Sequence, residues 1–344
     1  SYSYNQSRGW PTQIANAING VNFARYNLVY DSGNDTVGNL TQVTELDAST
    51  VTYTYDALMR LTQEVRTGTG PYSKAYTYYL AGNITQVDGS TFATYDNANK
   101  IATLSGGTIS HNADGGIVTV SGAGIPPGTW FDWHTKDLLN TQGATGQPSY
   151  YYFYDAAGLR RYKRHNTSNS SPKTFYVFDG TRLIGEIYQG TPSVAYTWGA
   201  DGLASERLLT GTPKSLWYHF GPQGETRQLT NSVGAVVDQY RYNAYGVPLY
   251  TTGTDANPHR YGGKYGYYAD GAMGVVLATH RWYSPNLMRW LTRDPIRYRG
   301  GDSLYAYVSG NPVRWVDPSG LQPLPPAVGE ALRPYFPDTD PSVV

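Results

Sequence analysis

The chain has 344 residues, and its 26 basic and 26 acidic side chains cancel, so it lacks the basic excess that drives non-specific nucleic-acid binding and no nucleic-acid partner is expected. With 15% charged and 40% hydrophobic residues it is no disordered polyelectrolyte, and it contains no apolar run long enough to span a membrane. Cysteine is absent, which excludes disulfides, iron–sulfur clusters and thiol catalysis, and the six scattered His lack metal-ligand spacing, so no cofactor or metal is expected.

Tyrosine is the compositional outlier, 33 Tyr against 8 Phe, beside 39 Gly and 21 Pro. Tyr favours strands, whereas Gly and Pro punctuate turns, so the chain reads as many short strands. The chain starts at Ser1 in mid-pattern, which reads as a fragment or a processed product. Residues 13–18 read as a turn of helix. From about residue 25 a recurring unit takes over: an aromatic residue, Asp, a few small or polar residues, then an apolar strand. It is clearest as Tyr53-Thr54-Tyr55-Asp56-Ala57-Leu58-Met59-Arg60-Leu61 and as Tyr152-Phe153-Tyr154-Asp155-Ala156-Ala157-Gly158-Leu159-Arg160. Weaker copies start at Tyr30-Asp31, Tyr95-Asp96, Phe131-Asp132 and Phe178-Asp179. Copies that lose the Asp lie at residues 78–84 and 242–246.

The period of two in Val51-Thr52-Tyr53-Thr54-Tyr55 marks a strand. The Asp then opens a turn by accepting backbone N–H groups, and Gly or a small residue completes it. Each unit is a hairpin that cannot bury its own face, so stacked units must share a continuous one. The basic run 160–165 reads as a solvated strand beside the Ser/Asn-rich loop 166–171.

Residues 258–321 carry a denser set of motifs: Tyr261-Gly262-Gly263-Lys264; His280-Arg281-Trp282-Tyr283-Ser284-Pro285; Met288-Arg289-Trp290-Leu291-Thr292-Arg293-Asp294-Pro295-Ile296; Ser303-Leu304-Tyr305-Ala306-Tyr307-Val308-Ser309-Gly310-Asn311-Pro312; and Asp317-Pro318-Ser319-Gly320-Leu321. On elementary grounds Asp294 and Asp317 are turn formers, since Asp-Pro opens turns, and Asn311-Pro312 reads as a turn only.

In order and spacing this stretch resembles the Rhs-associated core of Rhs/YD-repeat proteins, and the preceding units resemble the YD repeat found also in the C component of bacterial toxin complexes and in the teneurin shell. Two positions depart from that pattern: Ser284 replaces an Asp, and Met288 stands where Gly is usual. The resemblance implies an all-β fold, a YD-repeat β-hairpin sheet curling into a shell (a partial cocoon) with a C-terminal plug. It divides the chain into a shell segment 1–257, a core 258–321 and a Pro-rich tail or start of a variable cargo 322–344. It further implies an aspartic self-protease built on Asp294 and Asp317, 23 residues apart, with Arg293 beside the first, cutting between Leu321 and Gln322. The expected partner is a C-terminal toxin or effector segment in cis, with a further N-terminal shell or self-association; the expected location is secreted or cell-surface, in a bacterium. Two alternatives stay open: an inert structural or adhesive YD module, and a carbohydrate-binding surface built on Trp130, Trp133, Trp198 and Trp217.

Overall fold

The computed structural model describes residues 1–31, 37–79, 81–166, 170–270, 273–297 and 303–321. The expected Pro-rich tail or cargo start, 322–344, lies outside these residues. Within each sheet every strand pairs antiparallel with the next along the chain. Nine strands between Tyr2 and Thr91 make one sheet. A two-stranded ribbon follows, Ala93–Tyr95 with Ile101–Leu104. Fourteen strands from Ile109 to Thr252 make a second sheet, and four short ones from Tyr268 to Trp290 make a third. The described residues include no α-helix. Residues 13–18, expected as helix, belong to the strand Pro11–Ile18, which pairs with Val21–Tyr30 through Ile18 and Val21. Asn19 and Gly20, both at positive φ, form the two-residue turn. An Asn-Gly pair between apolar residues is a strong hairpin signal, and it outweighs the short run of Ile and Ala.

The repeat has one local geometry. In the turn that starts at Asp56, the Asp56 N–H donates to the Arg60 carbonyl (3.0 Å) and the Met59 N–H donates to the Asp56 carbonyl (2.9 Å). The Asp56 carboxylate accepts from the N–H groups of Leu58 and Arg60. The same backbone pair recurs in turns starting at Tyr79, Asp96, Asn112, Asp155, Gly221, Asn231 and Asn243. The fourth residue of these turns has positive φ: it is Gly at 82, 115, 158, 224, 234 and 246, but Met59 and Asn99 in two copies. That is why the unit carries Gly there, and why Asp, whose short side chain can satisfy two N–H groups, opens it.

The aromatic residue before the turn ties one repeat to the previous one. Tyr55 donates to the Leu40 carbonyl (2.6 Å), Tyr78 to Leu61 (2.7 Å) and Tyr95 to Ile84 (2.7 Å). Trp133 and Trp198 do the same to Ile117 and Leu183 (2.8 Å each). The accepting carbonyl is in each case that of an apolar residue just past the preceding turn. A tyrosine can bury its ring while its hydroxyl finds this partner, which accounts for the preference for Tyr over Phe.

The two large sheets face one another at their distant ends. Arg227 reaches Glu45 (2.7 Å), Arg241 the Thr69 carbonyl (2.7 Å), and the Ala244 N–H the Glu64 carboxylate (2.9 Å). Phe23 packs edge-on to His219 at 4.7 Å. The sheet is thus curled, and the described residues between 257 and 321 fill its concave side. The basic run 160–165 holds that filling in place and is not a solvated strand. Arg160 and Lys163 point inward, and both pair with the buried Asp270. The Arg160 guanidinium also sits over the rings of Tyr176 (4.1 Å) and Tyr268 (4.5 Å).

Glu64 and Glu206 are buried carboxylates that meet tyrosine hydroxyls: Tyr76 and Tyr72 at Glu64, Tyr218 at Glu206. Burial pushes Glu64 up to about 7 and Glu206 up to about 8. Folded-state values raised above the unfolded range mean that their contribution is full below about pH 4 and is lost as pH rises through about 7 and 8. Glu64→Gln and Glu206→Gln are therefore expected to flatten the loss of stability between about pH 4.5 and pH 7 and between about pH 4.5 and pH 8 respectively, each recovering about 2–3 kcal/mol at the alkaline end. Urea unfolding across that range checks this; unchanged slopes contradict it.

Candidate functional site

The strands Val275–Ala278 and Arg281–Ser284 form a hairpin closed by Thr279 and His280, and all eight strand residues are buried. Arg281 is therefore directed into the interior, where its guanidinium lies 4.2 Å from the centre of the Trp290 ring. Two Asp-Pro turns converge on it. Asp294 caps its own turn, accepting the Ile296 N–H at Oδ1 (3.0 Å), while the Arg297 N–H donates to the Asp294 carbonyl (2.9 Å). Asp317 caps the last turn: Oδ1 accepts the Leu321 N–H (2.9 Å), and the Gly320 N–H donates to the Asp317 carbonyl (3.1 Å). The Tyr267 hydroxyl fixes the Asp317 backbone, accepting its N–H (2.9 Å) and donating to its carbonyl (2.8 Å).

With one carboxylate oxygen of each Asp used in its turn, the other faces Arg281. Arg281 Nη2 lies 2.9 Å from Asp294 Oδ2 and 3.3 Å from Asp317 Oδ2. The side chains of Arg281, Asp294 and Asp317 are 4%, 7% and 2% exposed. One cation thus serves two buried carboxyl groups. Burial raises Asp294 to about 6, against the pull of Arg281 and helped by the nearby Asp317. Burial also lowers the Arg281 pKa, although both carboxylates oppose this. Two carboxyl groups that compete for one cation can hold one proton between them near neutral pH.

Arg293 occupies a different place. Its guanidinium is 40% exposed and lies 3.5 Å from Asp114, in the turn after the strand Ile109–His111. Asp294 meets Arg281 in the interior while Arg293 reaches the shell turn at Asp114, so the neighbour of Asp294 in sequence is not its neighbour in space. The cation at the carboxylates is Arg281; its place in the His280-Arg281-Trp282-Tyr283 motif was the available sequence signal. Leu321 is the last described residue, and Gln322, the other side of the expected cut, lies outside the described residues.

The two departures from the family pattern are accommodated locally. Ser284 Oγ accepts the Leu287 N–H (3.2 Å), the turn-capping bond that an Asp makes elsewhere. Met288 takes the left-handed conformation (φ 56°) for which Gly is the unstrained choice. Asn311, read as a turn residue only, also reaches into the shell, donating to the Met59 carbonyl (2.7 Å) and to Asn39 Oδ1 (3.1 Å). Of the four Trp considered for sugar binding, Trp133 and Trp198 spend their indole N–H on the repeat ladder.

Removing Arg281 leaves two buried carboxyl groups without their cation. Arg281→Gln is expected to lower stability by about 3–5 kcal/mol at about pH 7, and by less at about pH 5, where Asp294 holds its proton. Urea midpoints at the two pH values test this; equal losses at both contradict the described electrostatics.

The comparisons with known proteins agree with this architecture. The Teneurin YD-shell family matches residues 3–302. The tRNA3(Ser)-specific nuclease WapA of Bacillus spizizenii is 31% identical over 267 residues, 71% of this chain and 11% of its own. The double-stranded DNA deaminase toxin A of Burkholderia cenocepacia is 30% identical over 60% of this chain and 16% of its own. Toxin subunit YenC2 of Yersinia entomophaga is 26% identical over 93% of this chain and 35% of its own. The crystal structure of TcdB2-TccC3 superposes with a TM-score of 0.74 at 19% identity, covering 93% of this chain and 18% of that one. The chain spans 8% to 16% of the length of the first three curated relatives it matches. With the aromatic–Asp turn, the curled meander and the family match over residues 3–302 all in agreement, the chain belongs to the Teneurin YD-shell family.

Proposed function

We propose that this chain is a segment of a toxin-type encapsulating shell whose residues 258–321 form the plug, and that the pair Asp294 and Asp317 cuts the chain between Leu321 and Gln322 to free a C-terminal cargo. The observation that carries the reading is the single buried guanidinium shared by two carboxyl groups, one of which holds the Leu321 N–H. In this reading Asp317 bears the negative charge and activates a water. Asp294, raised to about 6, carries the proton that polarises the Leu321 carbonyl. The water oxygen bonds to the Leu321 carbonyl carbon, the C–N bond to Gln322 breaks, and the proton ends on the departing amine. Arg293, exposed and paired with Asp114, has at most a distant effect on the pair.

The cargo and the location belong to the same proposal. The similar proteins carry names of different activities, a tRNA nuclease and a DNA deaminase toxin, as expected if one shell serves exchangeable C-terminal segments. Secretion or surface display by a bacterium follows from the toxin names. No helix among the described residues is long and apolar enough to cross a membrane. The contrary reading, an inert YD module, draws on the fact that both Asp residues already cap turns.

Intact mass under denaturing conditions tests the proposal, using wild type, Asp294→Asn and Asp317→Asn. The expected result is a break after Leu321 in wild type that both variants abolish. Cleavage should also slow about tenfold between about pH 5 and pH 7 as Asp294 loses its proton. An uncut wild type overturns the protease and leaves the two Asp residues as turn formers.

A further inference from the structure

The described contacts of residues 318–320 form a pattern that turn capping does not require. Three consecutive carbonyls are each bound by one of three consecutive residues of the hairpin tip. Thr279 Oγ1 donates to the Pro318 carbonyl (2.9 Å). The His280 N–H donates to the Ser319 carbonyl (3.2 Å), and His280 Nδ1 lies 3.1 Å from the same oxygen. Arg281 Nε donates to the Gly320 carbonyl. Asp317 Oδ1 then takes the next backbone group, the Leu321 N–H, at 2.9 Å. Bonds from three consecutive residues, one through its backbone N–H and two through side chains, to successive carbonyls of another stretch that ends beside the carboxyl pair are what a protease needs to present one peptide bond.

Two further features fit that role. Thr279 sits at φ 45°, a conformation that a β-branched residue rarely adopts and that a hairpin tip usually gives to Gly or Asn. Strain of this kind persists where the surroundings demand the side chain. Gly320 is at φ 76°, and a Cβ there would stand 2.7 Å from the Ala278 carbonyl oxygen and 3.0 Å from Arg281 Cβ. The backbone of residue 320 therefore approaches the hairpin more closely than any side chain permits.

We infer that Thr279, His280 and Arg281 are the peptide-holding residues of the self-protease, a specificity-setting hairpin tip that takes the Pro318-Ser319-Gly320 backbone and sets Leu321 at the cut. Arg281 is the hinge of the arrangement: Nε holds the substrate carbonyl while Nη2 holds both carboxyl groups. Thr279, His280 and Arg281 act as positioning residues, and the inference rests on the reading of Asp294 and Asp317 as the cutting pair. Because the hairpin tip grips the side of the chain that keeps Leu321, the product end stays in the groove after cleavage. The enzyme is therefore filled by its own product and turns over once.

The test measures the cleavage rate and the cut position by intact mass in Thr279→Val, Thr279→Ser, Gly320→Ala and Arg281→Lys, with urea midpoints taken in parallel. Thr279→Val keeps the shape and loses the hydroxyl, whereas Thr279→Ser keeps the hydroxyl. The expected result is cleavage slowed about tenfold or more in Thr279→Val and Gly320→Ala, and near wild type in Thr279→Ser. Thr279→Val should lower the urea midpoint only slightly, by the one lost hydrogen bond, and leave the pH profile unchanged. Arg281→Lys, which cannot hold the Gly320 carbonyl and both carboxyl groups at once, should shift the pH profile. If wild type cuts and Asp294→Asn does not, but Thr279→Val and Gly320→Ala cut at the wild-type rate and position, the role of the hairpin tip is overturned and the dyad stands. An uncut wild type overturns both.

Discussion

The left-handed fourth residue of the repeated turn is the constraint from which the rest follows. It turns that residue's carbonyl away from the hairpin, and in three copies the carbonyl is where the C-terminal segment binds. Met59 accepts from Asn311, Asn99 from Arg289 (2.6 Å) and Gly115 from the Tyr305 hydroxyl (3.0 Å). In another copy the third residue does so, the Tyr245 carbonyl accepting from the Tyr283 hydroxyl (2.8 Å). The turn that ends each hairpin is thus also a socket. A buried carbonyl without a donor would be unfavourable, so sheet and filling depend on one another.

Charge is handled in the same interdependent way. Arg160, enclosed by Tyr176 and Tyr268 and paired with Asp270, joins the second sheet to the C-terminal segment. Arg281 joins two loops of that segment to each other. Glu64 has two tyrosine hydroxyls and the Ala244 N–H, and Glu206 the Tyr218 hydroxyl, where a cation would be usual, and both so keep protons into the neutral range. The abundance of tyrosine has this second cause: its hydroxyl satisfies buried carboxyl groups as well as the carbonyls of the repeat ladder.

Much of the fold is legible in the sequence because the repeat is local. The period of two, the Asp that caps and the Gly that reverses the chain all act within a few residues, so Asp56 and Asp155 announce their turns. What depends on the inward face is not. Arg160 and Lys163 look like solvent residues until Asp270, more than a hundred positions away, arrives to pair with them. Asn311 looks like a turn until Met59 is beside it. Residues 13–18 mislead because two Ile four positions apart imitate a helix face, while the deciding Asn19-Gly20 lies just outside the window. At the site, Asp294 and Asp317 come together as their motifs imply. Arg293 does not join them, because it reaches out to Asp114 in a shell turn, and the cation comes instead from the Arg281 hairpin.

Hydrogen exchange across a urea series tests most directly whether shell turns and C-terminal segment form one unit. Amides of the sockets around Met59, Asn99 and Gly115 should open together with those of the strands Val275–Ala278 and Arg281–Ser284, in a single transition with a common urea dependence. If the C-terminal strands open in a separate transition at lower urea while the socket turns stay protected, the turns do not hold the segment and the interdependence is wrong.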